Sequence, residues 1–390
     1  MKIINYKKRK SVSERYEFLL GQGISDIYKI KAYQPGKPIE EVKREFELKN
    51  VIKLASNENP LGPSPKAVEA IRGYASKINF YPDGGSYYLK KALGEKLGVK
   101  EDSIIFGNGS DEIVSLITRI FLQKGDEAIM GDPSFLMYKI DAQLSRANVA
   151  SVPLKSFRLD LSEMSKAIGP KTKLIFISNP NNPTGTIITQ DEVEHFLRDI
   201  PPRILAIFDE AYYEYVEDTN YPQSIDLLDG NSNIIILRTF SKIYGLAGIR
   251  VGYGVGSPEI IELLNKARPP FNVNSLAQVA ALASLEDKDQ VNRSKILVRE
   301  GKEFLYSNLR RLKIFFIPTQ ANFILIKVEK KAKDVAAKLL KKGIIVRGMG
   351  AYNLPHYIRV TIGTKPQNEE FIKNLQTVLS SRQEGFNDCH

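Results

Sequence analysis

The sequence predicts an α/β protein: a large, mostly parallel sheet flanked by helices, followed by a smaller α+β module at the C-terminal end. Three observations carry this. Short apolar runs recur between residues 103 and 256 and alternate with amphipathic helical patterns, the signature of a parallel sheet covered on both faces. After residue 272 the texture changes to a long helical stretch and then short strands of its own. The length of 390 residues also exceeds what one hydrophobic core ordinarily organises.

The elements follow in order. Roughly the first 50 residues are charged and weakly periodic and read as an arm packing on other parts. SIIFG (103–107), DEAIM (126–130), VASVPL (149–154), KLIFIS (173–178), RILAIFD (203–209), NIIIL (233–237) and RVGYGVG (250–256) read as short buried strands. Between them, DEIVSLITRIFL (111–122) places Ile113, Leu116, Ile117 and Ile120 on one helical face. Thr189 and Glu192 form a capping box, and Ser257 with Pro258 opens a further helix. A helical stretch over 274–312 leads into IFFIPTQANFILIKV, the helix AKDVAAKLLKKG, the strands GIIVR and YIRVTIG, and a last helix QNEEFIKNLQTVL. The expected division is an extension and arm (1–60), a large domain (61–272) and a small C-terminal domain (273–390).

Composition narrows the function. A single cysteine, Cys389, excludes a disulfide framework within the chain and points to a reducing compartment. The basic N-terminus lacks an apolar core for a secretory signal, and no apolar run approaches the roughly 20 residues of a membrane helix. The expectation is a cytoplasmic protein. The net charge of +11 suits anionic ligands. The run YKKRK lacks interleaved aromatics and reads as solvated lysines rather than a nucleic-acid site. His195, His356 and His390 show no metal-ligand spacing, so no metal is expected. Neither a G-x-x-x-x-G-K-[ST] loop nor a G-x-S-x-G elbow is present.

Four stretches carry chemistry. In IIFGNGSDE a strand runs into glycines before Ser110 and Asp111 open a helix. Glu112 stands where a dinucleotide fingerprint has its third glycine, but the helix start still offers N–H groups and a dipole to a single phosphate. Ser110 as a plain helix cap is the alternative. RILAIFDEAYYEY ends its apolar run on Asp209, LIFISNPNNPTG ends in a turn containing Asn182, and TFSKIYGLAGIR places Lys242 and Arg250 after NIIIL. Strand carboxyl ends are where α/β folds place ligands. A lysine, a carboxylate and a phosphate cup together ask for a cofactor that forms a Schiff base, carries a ring nitrogen and bears a phosphate. Pyridoxal 5′-phosphate meets all three demands.

SNPNNPTG, DEAYYEY, RTFSKIYGLAGIR, ANF and YIRVTIGT, in that order and spacing, resemble the fold-type-I aminotransferases and, among them, the histidinol-phosphate aminotransferases. The resemblance runs from about Tyr33 to Gly363. It implies that Lys242 carries the cofactor and that Asp209 holds its ring nitrogen, with Tyr212 and Asn182 on its phenolic oxygen. Ser110, Asp111, Thr239, Ser241 and Arg250 match the phosphate cup, and Phe135 the ring that stacks on the cofactor. Tyr81 matches a tyrosine lent by a second subunit, implying a homodimer with shared sites. Arg359 matches the arginine that grips a substrate carboxylate or phosphate, Arg347 a second anion ligand, and Tyr33 a tyrosine on an arm crossing to the neighbour. The implied activity is transamination between histidinol phosphate and 2-oxoglutarate or glutamate in histidine biosynthesis. Alternatives are an aromatic or broad-range aminotransferase, a phosphoamino-acid decarboxylase, or a regulator on the same fold. Lys242, Asp209 and Arg359 together argue against the last, since a binding module needs no electron sink. Phe271, tyrosine in several relatives, and the extension before Ile30 depart from the pattern.

Overall fold

The computed structural model describes Ile27, Ile30 and residues 36–380. Its centre is a seven-stranded sheet in the order β2-β8-β7-β6-β5-β3-β4. The strands are β2 (Ile104–Gly107), β3 (Glu127–Asp132), β4 (Asn148–Pro153), β5 (Thr172–Ser178), β6 (Leu205–Asp209), β7 (Ile234–Thr239) and β8 (Gly252–Gly256); β1 (Ile52–Lys53) lies elsewhere. All neighbours pair in parallel except β8, which runs antiparallel between β2 and β7.

Alternation along the strands explains why helices cover both faces. On β5, Leu174 and Phe176 pack with Ile113, Leu116 and Ile117 of the helix Ser110–Phe121 and with Tyr138 and Ala142 of the helix Leu136–Leu144. The intervening Ile175 and Ile177 pack on the opposite side against Val193 and Phe196 of the helix Gln190–Asp199. The capping box of Thr189 and Glu192 starts that last helix, and Ser257 caps the helix Pro258–Ala267, as the residue pattern predicts.

The C-terminal part builds a four-stranded antiparallel sheet in the order β12-β13-β10-β9. These are β9 (Phe316–Ile317), β10 (Phe323–Lys327), β12 (Arg347–Gly348) and β13 (Tyr357–Thr361), with β11 (Ile344–Ile345) outside the sheet. The run GIIVR is therefore not one strand. Its isoleucines, β11, pair in parallel with β1, while Arg347 begins β12, which pairs with β13. The helical stretch after 274 is also two helices, Ser275–Leu285 and Lys288–Arg311. Asp287 breaks it by capping the second: its carboxylate accepts from the Gln290 N–H at 3.0 Å and from the Ser64 hydroxyl. A short helix, Ile39–Phe46, lies in the segment read as an arm, with Val42 buried against Ala55 and Ile345. Two turns are too few for periodicity to announce it.

Candidate active site

Four strands of the large sheet end on one side and deliver side chains to a single cavity of about 310 Å³. Ser110 and Asp111 follow β2, Asn182 follows β5, Asp209 ends β6 with Tyr212 behind it, and Thr239, Ser241 and Lys242 end β7. Arg250, Phe135 and Arg359 complete the set of predicted residues that line it. Of the other three, Tyr81 is 81 % exposed outside the cavity, its ring stacked on Phe271 at 4.9 Å. Arg347 sits opposite Arg359 in the β12–β13 register and does not line the cavity. Tyr33 lies outside the described residues.

Lys242 is partly accessible, but its amine lies deep. Burial first, then the positive charge of Arg359, pull its pKa down to about 8. The amine donates to the Ser56 carbonyl at 3.2 Å rather than to a carboxylate. Asp209 is buried, and burial raises its pKa to about 6 against the opposing hydrogen bond from Tyr138. That hydroxyl donates to Oδ2 at 2.5 Å while the Ala211 N–H donates to Oδ1 at 3.1 Å. The next residue, Glu210, forms a buried ion pair with Arg238, Nη2 to Oε2 at 2.8 Å, fixing the end of β6 from behind.

The anion cup depends on close backbone approach. Gly109 has φ +86°, and a Cβ there would meet Arg250 Nη2 at 2.2 Å. A Cβ on Gly252 would lie 2.4 Å from the Ser110 nitrogen, so β8 can pass beneath the helix start only as glycine. The cap residue of that helix is Gly109 rather than Ser110, so Ser110 lies in the first turn beside the unpaired N–H groups. Arg250 makes long contacts here, 3.3 Å to the Ala247 carbonyl, 3.4 Å to Ser241 Oγ, 3.5 Å to the Asn108 carbonyl and 3.8 Å to Asp111 Oδ2. At the other wall Arg359 donates to the side-chain Oδ1 of Asn182 and, at 3.0 Å, to the backbone carbonyl of Ala55. Its Nε is buried without a hydrogen-bond partner among the described residues.

Sequence reasoning missed Tyr138, Asn57 and Glu58. Tyr138 lies three residues after Phe135, one helical turn, and the rings meet edge to face at 5.4 Å; that spacing was a usable signal. Asn57 and Glu58 line the cavity from the segment after β1, which no local pattern marks.

The arrangement defines a lysine-centred α/β enzyme site with an anion cup. The family model for aminotransferase class I and II matches residues 49–375, and the chain belongs to that family. Among its relatives is the histidinol-phosphate aminotransferase of Moorella thermoacetica, 51% identical over 91% of this chain and 92% of that protein. The histidinol-phosphate aminotransferase of Caldicellulosiruptor saccharolyticus is 49% identical, covering 90% and 99%. Among solved structures, the Sinorhizobium meliloti histidinol-phosphate aminotransferase in complex with pyridoxal 5′-phosphate superimposes with a TM-score of 0.82 at 26% identity, covering 89% of this chain and 95% of that one. No helix among the described residues is long and apolar enough to cross a membrane.

Proposed function

We propose that this chain is a pyridoxal-phosphate-dependent aminotransferase acting on histidinol phosphate, with 2-oxoglutarate as amino acceptor. The observation that carries the reading is the convergence of a lysine of lowered pKa, a buried carboxylate and an anion cup on one cavity. Similarity over 91% and 90% of the chain to relatives named for this activity supports the substrate. The donor set fits the cofactor. Lys242 would bond it covalently, Asp209 would face its ring nitrogen, and Phe135 its ring. Tyr212 and Asn182 would face its phenolic oxygen. Ser110, Asp111, Thr239, Ser241 and Arg250 would hold its phosphate. When bound, the cofactor supplies an electron sink for charge developing at the substrate's α-carbon.

The residues do the rest. Asp209, as carboxylate, would hold a proton at the ring nitrogen. With its amine free, Lys242 would stand beside the substrate's α-carbon and could take and return a proton there. Arg359 offers a planar fork to an anionic group, the phosphate of histidinol phosphate or a carboxylate of glutamate. Its unpaired buried Nε is a donor awaiting such a group. Arg347, one strand away, is proposed as a second anion ligand. Ile78, Phe80, Tyr81, Tyr87, Tyr88 and Phe271 form exposed apolar surface, which supports a homodimer in which Tyr81 reaches the neighbour's cup.

A substrate panel with 2-oxoglutarate tests the reading. Histidinol phosphate is expected to exceed phenylalanine, tyrosine and phosphothreonine in kcat/KM by about tenfold or more, the scale of one charge-assisted contact. Equal turnover of phenylalanine would favour an aromatic aminotransferase, and release of carbon dioxide from phosphothreonine a decarboxylase. Lys242 adds a pH test on the apoprotein. Only the neutral amine attacks an aldehyde, and its pKa of about 8 lies below that of ordinary lysine. The rate of colour formation with added pyridoxal phosphate should therefore climb with pH and level off above 8, not above 10. A rate still climbing tenfold per pH unit beyond 9 would contradict the lowered pKa.

A further inference from the structure

Three successive residues after β1 touch three functional side chains. The Ala55 carbonyl accepts from Arg359 at 3.0 Å, the Ser56 carbonyl from Lys242 at 3.2 Å, and the Asn57 side-chain amide donates to the Tyr212 hydroxyl at 2.9 Å. Asn57 is 1% exposed and has φ +57°, a left-handed conformation that side-chain-bearing residues avoid and asparagine tolerates best. Its polar groups account for the cost. The backbone N–H donates to Thr361 Oγ1 at 2.9 Å, and the backbone carbonyl accepts from Asn322 Nδ2 at 3.1 Å.

The same network fixes which way the amide points. Thr361 Oγ1 already accepts the Asn57 N–H, so its own hydrogen goes to Asn57 Oδ1, 3.3 Å away. Nδ2 is then the atom left for Tyr212. A phenol that accepts an N–H on its oxygen still has one hydrogen to donate, and Tyr212 lines the cavity. Thr361 lies two residues after Arg359 on β13, on the same face of the strand.

We propose that Asn57 is a positioning residue: it sets the Tyr212 hydroxyl as a hydrogen-bond donor into the cavity and ties that donor to the strand bearing Arg359. The proposal rests on the reading that Tyr212 meets the phenolic oxygen of pyridoxal phosphate. A donor at that oxygen favours its anionic form, so losing the donor lets the bound chromophore keep its proton to higher pH.

The test is the pH midpoint of the visible absorbance of the holoprotein in wild type, Asn57→Gly, Tyr212→Phe and the double variant. Glycine accepts the positive φ, so the first substitution removes the side chain without straining the backbone. Tyr212→Phe is expected to raise the midpoint by about one pH unit, and Asn57→Gly by about half a unit or more. The double variant should match Tyr212→Phe alone, because Asn57 acts through the hydroxyl. An unchanged midpoint in Asn57→Gly, or shifts that simply add in the double variant, overturns the proposal. An unchanged midpoint in Tyr212→Phe instead sinks the cofactor contact on which it rests. If Asn57→Gly shows no cooperative thermal transition, Asn57→Asp replaces it. Aspartate keeps the shape and tolerates the φ but offers only an acceptor, and its effect on the midpoint should shrink in the Tyr212→Phe background.

Discussion

Lys242→Ala is expected to abolish transamination, lowering turnover on the order of 10⁶-fold, the scale seen when a covalent nucleophile that also moves a proton is lost. The substitution removes the amine at the end of β7 and leaves the cup of Ser110, Thr239, Ser241 and Arg250 in place. Pyridoxal phosphate should therefore still bind, held by its phosphate, but be lost on dialysis and show the absorbance of a free aldehyde. Borohydride should fix the cofactor to the wild-type chain at residue 242 and nowhere on the variant. Stability supplies an independent check. Burial lowers the pKa of Lys242, so its charged form is disfavoured in the folded protein. Below a pH of about 8 that charge works against folding, and the alanine variant should melt no lower than wild type at neutral pH. Turnover within tenfold of wild type would remove Lys242 from the mechanism.

The legibility of this site in the sequence has a physical basis. Parallel strands buried on both faces are continuous apolar runs, so the polar residue that ends each run marks the ligand edge of the sheet. Asp209 after LAIF is the plainest case. What the runs do not encode is direction. RVGYGVG reads like its neighbours, yet β8 is inserted antiparallel between β2 and β7, and only its glycine contacts with Ser110 and Leu237 reveal why it fits there. Contacts set by distant parts of the chain were equally hidden. Asn57 meets Tyr212 across 155 residues and Thr361 across 304, and in SNEN only the asparagines' tolerance of a left-handed backbone hints at one. Short pieces failed for a third reason: β11 and β12 are two residues each and separated by only one residue, although they belong to different sheets.

Asp209→Asn should leave the fold intact and reduce turnover by roughly 10³-fold or more, the cost of removing a buried, preorganised charge. Asparagine keeps the shape, and its carbonyl oxygen can still accept the Tyr138 hydroxyl that reaches Oδ2 at 2.5 Å. What is lost is the negative charge that holds a proton at the ring nitrogen. The carboxylate is costly in the apoprotein, since burial raises its pKa to about 6. Sign follows from that direction: a group whose folded pKa lies above its unfolded value is destabilising once ionised, so the asparagine variant should melt at or above the wild type at pH 7–8. The same titration marks cofactor affinity. Wild-type affinity for pyridoxal phosphate should weaken as pH falls through about 6, where Asp209 takes up a proton and loses its attraction for the ring nitrogen. The variant lacks this carboxylate and should bind more weakly at pH 7.5, with a smaller loss than the wild type between pH 7 and 5. Equilibrium binding followed by cofactor fluorescence at several pH values separates the cases. A variant with normal turnover, or one that keeps the wild-type acid limb, would show that the charge at Asp209 is not what holds the ring nitrogen protonated.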